Sequence, residues 1–84
     1  MTIDEIKALI EAGIDAEHIT VKGDNGMFDT IVVAQQFDGL SPVKKQQMVY
    51  ATVTNEITSG AIHALSIKAY TPKEWTRASK LLIG

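Results

Sequence analysis

The hydrophobic and polar positions of this chain follow two different spacings, which predict a mixture of helices and strands. Apolar residues recur every three or four positions over 3–10 and over 43–57, as on one face of an amphipathic helix. In three shorter runs, apolar residues alternate with polar ones or are mostly β-branched, which is typical of strands. These predicted strands cover residues 17–22, 28–35 and 62–70. With a further helix from residue 72, the predicted order is helix–strand–strand–helix–strand–helix.

Each predicted helix begins at a residue suited to capping its free backbone N–H groups. Thr2 and Thr71 are each followed by a glutamate three positions later, which is the spacing of a capping box. Ser41 precedes a proline, a residue favoured in the first helical turn. Gly13 and Gly60 are suited to ending the first and second helices.

The connections between these elements predict the topology. Asp24, Asn25 and Gly26 tolerate positive φ, so the first two strands are expected to form an antiparallel hairpin. The helix over residues 42–58 then crosses to the third strand, and a right-handed crossover makes the second and third strands parallel. The predicted packing face of this helix carries Val43, Gln46, Tyr50, Val53 and Ile57, widened by Val49. We therefore predict one α+β domain over residues 1–84, with helices covering one face of a mixed three-stranded sheet.

The composition excludes several kinds of protein. The chain has no cysteine, which excludes disulfides, thiolate nucleophiles, and zinc or iron–sulfur sites built from this chain alone. No run approaches the roughly 18 apolar residues of a membrane span, and the acidic amphipathic N-terminus is unlike a signal peptide, so we expect a cytoplasmic protein. The net charge of −2 argues against strong general affinity for nucleic acid. However, residues 41–84 hold six basic residues against two acidic ones, which is typical either of a face for an acidic partner or of a solvated surface whose charges are mixed once the chain folds.

His63, at the start of the third predicted strand, is the first candidate for metal or acid–base chemistry. It has the same parity as Leu65 and Ile67, so its position alone favours a structural histidine at the edge of the core. No Asp or Ser lies at an interpretable spacing from it, which leaves no catalytic triad and no sign of an enzyme. A lone imidazole binds a metal well only with other ligands, and soft ones would have to come from another molecule. Asp24 is a candidate oxygen ligand, whereas Met27 is a weak donor expected to pack.

Two lysines near the start of the second helix are the candidates for a different function. Lys44 and Lys45 are expected to be a solvated pair, and the alternative is that they contact nucleic acid together with Lys68. Lysines early in a helix oppose its dipole, which is faintly indicative of a functional use. The one GxxG sequence, Gly23-Asp24-Asn25-Gly26, lies in the predicted hairpin turn and leads into a strand rather than a helix, so it is not expected to act as a nucleic-acid clamp. No exposed aromatic pair suggests base stacking. Tyr70 and Trp75 are expected to be packing residues for the last helix.

Three segments of the chain resemble the BolA family. They are Phe37–Gly39, Val43–Tyr50 and Ile62–Trp75, and the last contains the specific pattern His-Ala-Leu followed by Thr-Pro-x-x-Trp. The Lys-Lys-Gln-Gln run in the second helix is similar to the IbaG-like branch. The resemblance covers nearly the whole chain, most clearly from residue 17 onward.

The resemblance implies a class II KH-like fold and a non-enzymatic role in iron homeostasis and acid stress. It implies a heterodimer with a monothiol glutaredoxin of the CGFS type, in which a [2Fe–2S] cluster is shared. The glutaredoxin and glutathione give thiolates, His63 gives an imidazole, and the isolated chain, a monomer or weak homodimer, binds no cluster. A second ligand in the family is a His or Cys from the loop between the first two strands. This chain has Met27 at that position, which leaves His63 with Asp24, a weak candidate, or water to complete the site. The alternative role in the family is a transcriptional regulator that binds DNA or RNA through the KH-like face, here with Lys44, Lys45 and Lys68.

Overall fold

The computed structural model of the chain describes residues 1–83. Its helices are α1 (Ile3–Gly13), α2 (Pro42–Thr52), α3 (Thr54–Ser59) and α4 (Pro72–Ile83), with a short 3-10 turn at Gln35–Phe37. Its strands are β1 (His18–Asp24), β2 (Met27–Val33) and β3 (Ala64–Tyr70). Within residues 1–83, no helix has the length and apolar content needed to cross a membrane.

The predicted helix caps at the first and second helices are confirmed. Thr2 Oγ1 accepts a hydrogen bond from the Glu5 N–H, and Glu5 Oε1 accepts one from the Thr2 N–H, so α1 begins with a complete capping box. These bonds favour the ionised carboxylate and lower the pKa of Glu5. Ser41 Oγ accepts from the Lys44 N–H at the start of α2, and α1 ends at Gly13 as expected.

The single helix predicted over residues 42–58 is wrong, because it is divided into α2 and α3 at Val53. The backbone of Val53 leaves the helical region, with φ −127° and ψ 20°, and its side chain is fully buried. On either side, Thr52 Oγ1 donates to the Val49 carbonyl and Thr54 Oγ1 donates to the Tyr50 carbonyl. Three consecutive β-branched residues with low helix propensity, two of them competing for helix carbonyls, weaken the helix here, and the burial of Val53 in the core favours the break. The expected end at Gly60 is confirmed by its left-handed φ of 87°.

The predicted sheet topology is confirmed. The strand order is β1–β2–β3, with β1 and β2 antiparallel and β2 and β3 parallel. Asn25 and Gly26, with φ of 51° and 79°, form the two-residue turn between β1 and β2, as in a type I′ hairpin. Because residues alternate between faces, Ile19, Thr30 and Ile67 point to an inner face that carries the core.

The core lies between this inner face and the first two helices. Ile6 and Ile10 of α1 and Val49 of α2 are fully buried there. The predicted packing face of α2 is wrong in its first two turns, since Val43 is 64% exposed while Lys45 is only 8% exposed. The buried face of α2 instead contains Lys45 and Val49, four residues apart, and is continued by the C-cap residue Val53. Tertiary packing against the sheet, rather than apolar spacing alone, decides which side of this weakly amphipathic helix is covered.

Candidate functional site at the hairpin end of the sheet

His63 lies immediately before β3, beside the turn that joins β1 and β2. Its backbone N–H donates to the Gly26 carbonyl oxygen at 2.6 Å, and the Ala64 N–H donates to the same oxygen at 3.0 Å. The start of β3 is therefore attached to the hairpin turn through one carbonyl group. This attachment fixes where the side chain of His63 leaves the backbone.

The His63 imidazole is exposed and packs against the backbone of Gly26. A Cβ atom built on Gly26 would overlap Cδ2 of the ring and lie 3.0 Å from Cγ. In the part of the chain that the structure describes, the only imidazole with a hydrogen-bond partner is that of His18. The expectation of a structural histidine at the edge of the core is wrong, because the side chain of His63 is outside the core and makes no polar contact with the described residues.

Met27 on β2 and Asp24 on β1 lie at the same end of the sheet as this histidine. They are register partners across the hairpin, and Met27 is also the register partner of Ala64 on β3. Met27 is 64% exposed, so the expectation that it packs is wrong. Residues 1–83 contain no group of three or more His, Cys, Asp and Glu side chains that could hold a metal ion. A metal bound at His63 would therefore need ligands from another molecule.

The two lysines predicted to act as a pair have different environments. Lys44 is exposed, whereas the Nζ atom of Lys45 donates to Glu74 Oε1 at 2.7 Å, across the junction of α2 and α4. The expectation of a solvated pair is wrong for Lys45, because its apolar stem is covered and its ammonium group is bound to a carboxylate. Lys68 is exposed on β3 and contributes to a shallow groove on the outer face of the sheet with Lys22. The sequence did contain a signal for the burial of Lys45, because this residue lies four positions before Val49 and therefore on the same side of the helix.

The ion pair is part of the start of α4. Glu74 Oε1 also accepts from the Thr71 N–H at 2.8 Å, and Thr71 Oγ1 accepts from the Glu74 N–H at 3.1 Å, which confirms the predicted capping box. The hydrogen bond from Lys45 is the main reason that the pKa of Glu74 is lowered, and the bond from Thr71 adds to it. Glu74 thus joins a helix cap and an interhelical ion pair in one carboxylate.

His18 was not singled out for any role by the sequence, yet it belongs to an aromatic cluster at the other end of the sheet. Its ring is stacked on Trp75, with the centroids 5.2 Å apart and the planes at 21°. Tyr70 is tilted against the same indole at 5.7 Å. The His18 Nε2 atom lies 2.7 Å from Thr20 Oγ1, within hydrogen-bond distance. These contacts agree with the predicted packing roles of Tyr70 and Trp75 and show that His18 is held by the fold.

Comparisons with known proteins agree with the sequence resemblance and with this architecture. The family model for BolA-like proteins matches residues 6–74. Acid stress protein IbaG of Escherichia coli K12 is 44% identical over 81 residues, which cover 96% of each chain. A BolA protein homologue from Coxiella burnetii has a TM-score of 0.80 at 32% identity, covering 90% of this chain and 97% of that one. The BolA domain of SufE1 from Arabidopsis thaliana has a TM-score of 0.76 at 32% identity, covering 86% and 93%.

Proposed function

Because the chain belongs to the BolA family, on its IbaG-like branch, we propose that it is a non-enzymatic adaptor for iron–sulfur cluster transfer. In this proposal the chain forms a heterodimer with a monothiol glutaredoxin of the CGFS type. The two proteins and glutathione share a [2Fe–2S] cluster as cargo, with His63 as the ligand from this chain. The isolated chain holds no cluster.

The placement of His63 is the observation that carries the proposal. Its imidazole is exposed, while its backbone is held to the hairpin turn by the bond from the His63 N–H to the Gly26 carbonyl. Imidazole nitrogen is a known ligand of [2Fe–2S] iron, but iron–sulfur clusters also need thiolates, which a chain without cysteine does not have. A partner that contributes thiolates complements this donor, which is the chemistry of a cluster held between two proteins.

A cellular role in acid stress is supported by the name of a relative. The Escherichia coli relative, at 44% identity over nearly the whole chain, is named acid stress protein IbaG. We extend that role, and a link to iron homeostasis, to this chain. An acid-sensitive growth defect on deletion of its gene, restored by the wild-type chain and not by His63→Ala, is the expected outcome.

The direct test is visible circular dichroism of a reconstituted cluster. A CGFS glutaredoxin, glutathione, iron and sulfide are mixed with the chain, and the spectrum is compared with that of the glutaredoxin alone. We expect the wild-type chain to change the spectrum, His63→Ala to remove that change, and His18→Ala to retain it. His18 is the matched control because it is the other histidine of the chain. A spectrum unaffected by the wild-type chain, or affected equally by His63→Ala, contradicts the proposal.

The neighbouring side chains offer a test of the second ligand. The exposed Met27 gives a thioether, a weaker ligand for iron than imidazole, and Asp24 gives a carboxylate across the hairpin. We expect Met27→His to slow the loss of the shared cluster to a chelator, since it adds an imidazole beside His63. Asp24→Asn accelerates that loss only if the Asp24 carboxylate completes the site. Equal rates for wild type and Met27→His would remove position 27 from the site.

A second candidate function is nucleic-acid binding of the regulatory BolA type. The observation in its favour is that Lys44 and Lys68 are exposed. Lys45 is bound to Glu74, so we leave it out of the proposed set of phosphate contacts. Phosphate contacts predict affinity for DNA or RNA that falls steeply with salt, and loss of one contact reduces the salt slope by about 1. Binding that is unchanged in Lys44→Glu and Lys68→Glu, relative to Lys80→Glu as control, would eliminate this candidate.

A further inference from the structure

We propose that Gly26 is a positioning residue for the His63 imidazole, and that this position must lack a side chain for the ring to occupy its observed place. The consequence for a shared cluster rests on the proposed function. The placement of the ring itself is a property of the isolated chain. Two separate contacts of Gly26, one through its carbonyl oxygen and one through its Cα, carry the inference.

The first contact fixes the backbone of His63. Asn25 and Gly26 both have positive φ, which gives the two-residue turn its type I′ geometry. In this turn the Gly26 carbonyl accepts two N–H groups, from His63 at 2.6 Å and from Ala64 at 3.0 Å. One carbonyl oxygen therefore holds the residue before β3 and the first residue of β3.

The second contact places the ring. A Cβ atom on Gly26 would overlap Cδ2 of His63 and would lie 3.0 Å from Cγ and 3.2 Å from Nε2. The Cδ2 edge of the imidazole therefore faces the glycine, and the opposite edge, with Nδ1 and Cε1, faces away from it. Because the side chain is exposed, a Cβ at position 26 would make the ring rotate rather than unfold the protein. The expected effect of a substitution is thus a displaced ring in a folded chain.

Gly39 is a matched control for the backbone strain of such a substitution. Its φ is 80°, against 79° for Gly26, and a Cβ built on Gly39 meets nothing within 4 Å. Gly39→Ala therefore introduces a comparable left-handed strain without touching His63. Gly26→Asn is the second variant, since asparagine tolerates left-handed conformations and supplies a Cβ with less strain than alanine.

Nuclear magnetic resonance of the isolated chain tests the placement. We expect the wild type to show a nuclear Overhauser effect between His63 Hδ2 and the Gly26 Hα protons. Gly26→Ala and Gly26→Asn should lose this contact and shift the His63 ring resonances, while Gly39→Ala leaves both unchanged. Wild-type ring signals in both Gly26 variants would overturn the inference. A change of the His63 ring signals in Gly26→Ala but not in Gly26→Asn would also overturn it, because backbone strain rather than the added Cβ would then be the cause. An equal change of these signals in Gly39→Ala would overturn it for the same reason.

Cluster reconstitution with a CGFS glutaredoxin and glutathione tests the consequence. We expect Gly26→Asn to weaken formation of the shared cluster by about tenfold relative to Gly39→Ala, as for other groups that orient a metal ligand. A displaced ring with wild-type cluster formation would overturn the positioning role. If the wild-type chain itself leaves the spectrum unchanged, the proposed function fails, while the resonance experiment still decides the placement of the ring.

Discussion

The two histidines of this chain lie at opposite ends of the sheet and are held in opposite ways. At the His18 end, which we define by His18, Tyr70 and Trp75, the imidazole is stacked on an indole and lies within hydrogen-bond distance of a threonine. At the His63 end, defined by Asp24, Gly26, Met27 and His63, the exposed imidazole lies against the Gly26 backbone. Both side chains are exposed, but the His18 ring has an aromatic neighbour and a hydroxyl within hydrogen-bond distance, whereas the His63 ring has no hydrogen-bond partner among the described residues.

The difference teaches how a small domain can keep a ligand accessible without losing local order. The His63 end is ordered by main-chain bonds, namely the hairpin ladder and the two N–H groups that meet the Gly26 carbonyl. Because Met27 and His63 are exposed, we expect their side chains to contribute little to stability and to be accessible to a partner. The same ladder continues to the His18 end, where side-chain contacts are added to it, including the Lys45–Glu74 ion pair at the start of α4.

Among the variants that test this comparison, truncation of the Trp75 indole is expected to lower the free energy of unfolding the most. Trp75→Ala removes a partly buried aromatic side chain that contacts both His18 and Tyr70. We expect it to lower the free energy of unfolding by about 2–3 kcal/mol, below the range for a fully buried tryptophan. The matched change at the His63 end is Met27→Ala, which should stay within about 0.5 kcal/mol because the side chain is mostly exposed.

Urea denaturation followed by far-ultraviolet circular dichroism measures both variants, since it does not depend on the fluorescence of the lost tryptophan. Similar losses in Trp75→Ala and Met27→Ala would contradict the view that side chains contribute more to stability at the His18 end than at the His63 end. A change in the denaturant slope would signal a change in the unfolded or native compactness rather than in stability alone.

Local signals in the sequence predicted most of the fold, whereas signals that depend on tertiary packing did not. The capping boxes at Thr2 and Thr71, and the turn at Asn25, are determined by residues within four positions, and they were predicted correctly. The inward side of α2 depends on where the sheet and α4 lie, so Lys45 was predicted to be solvated although it is buried. The break at Val53 was also missed, because three β-branched residues only weaken a helix and the core decides whether it divides.

The candidate site shows a similar division. Spacing alone suggested that His63 was structural, and only the family resemblance predicted it as a ligand. The exposure of its imidazole agrees with the resemblance and not with the spacing argument. The fit between Gly26 and the ring brings together residues 37 positions apart, so no local pattern could have predicted it.

The next largest expected loss of stability distinguishes the adjacent residues Lys44 and Lys45. Lys45→Ala removes the interhelical ion pair and its covered apolar stem, and we expect a loss of about 1 kcal/mol in the free energy of unfolding. Lys44→Ala, the matched control one residue earlier, should change it by less than about 0.5 kcal/mol. Thermal and urea unfolding at neutral pH measure the two variants. Equal losses would show that the ion pair does not help to order the His18 end.

Acid is expected to weaken the same ion pair by a smaller amount, because the side chain of Glu74 is 48% exposed. Its pKa is lowered in the folded chain from its ordinary value of 4.5, first by the bond from Lys45 and then by the bond from Thr71. The unfolded chain therefore binds the proton more tightly. The stabilising contribution is complete above about pH 4.5 and is lost as the pH falls through the lowered folded-state pKa.

Urea titrations between about pH 3 and pH 6 measure this loss in the wild type and in Glu74→Gln. We expect the stability difference between the two proteins to shrink as the pH falls. A residual pH dependence should remain in Glu74→Gln, since the pKa of Glu5 is lowered in the same direction by the capping box at Thr2. A difference that is constant over this range would show that ionisation of Glu74 does not stabilise the junction of α2 and α4.

The smallest expected effect compares the two histidines directly. His18→Ala removes the stack on Trp75 and the contact with Thr20, and we expect a loss of about 0.5–1 kcal/mol at neutral pH. His63→Ala removes an exposed ring that has no hydrogen-bond partner among the described residues, so its effect should be close to zero. Urea unfolding of both variants in one buffer resolves this difference. A loss of unfolding free energy in His63→Ala equal to or greater than that in His18→Ala would mean that the exposed imidazole is needed for stability. An accessible ligand side chain can be removed from the isolated chain without loss of stability only if the fold does not depend on it.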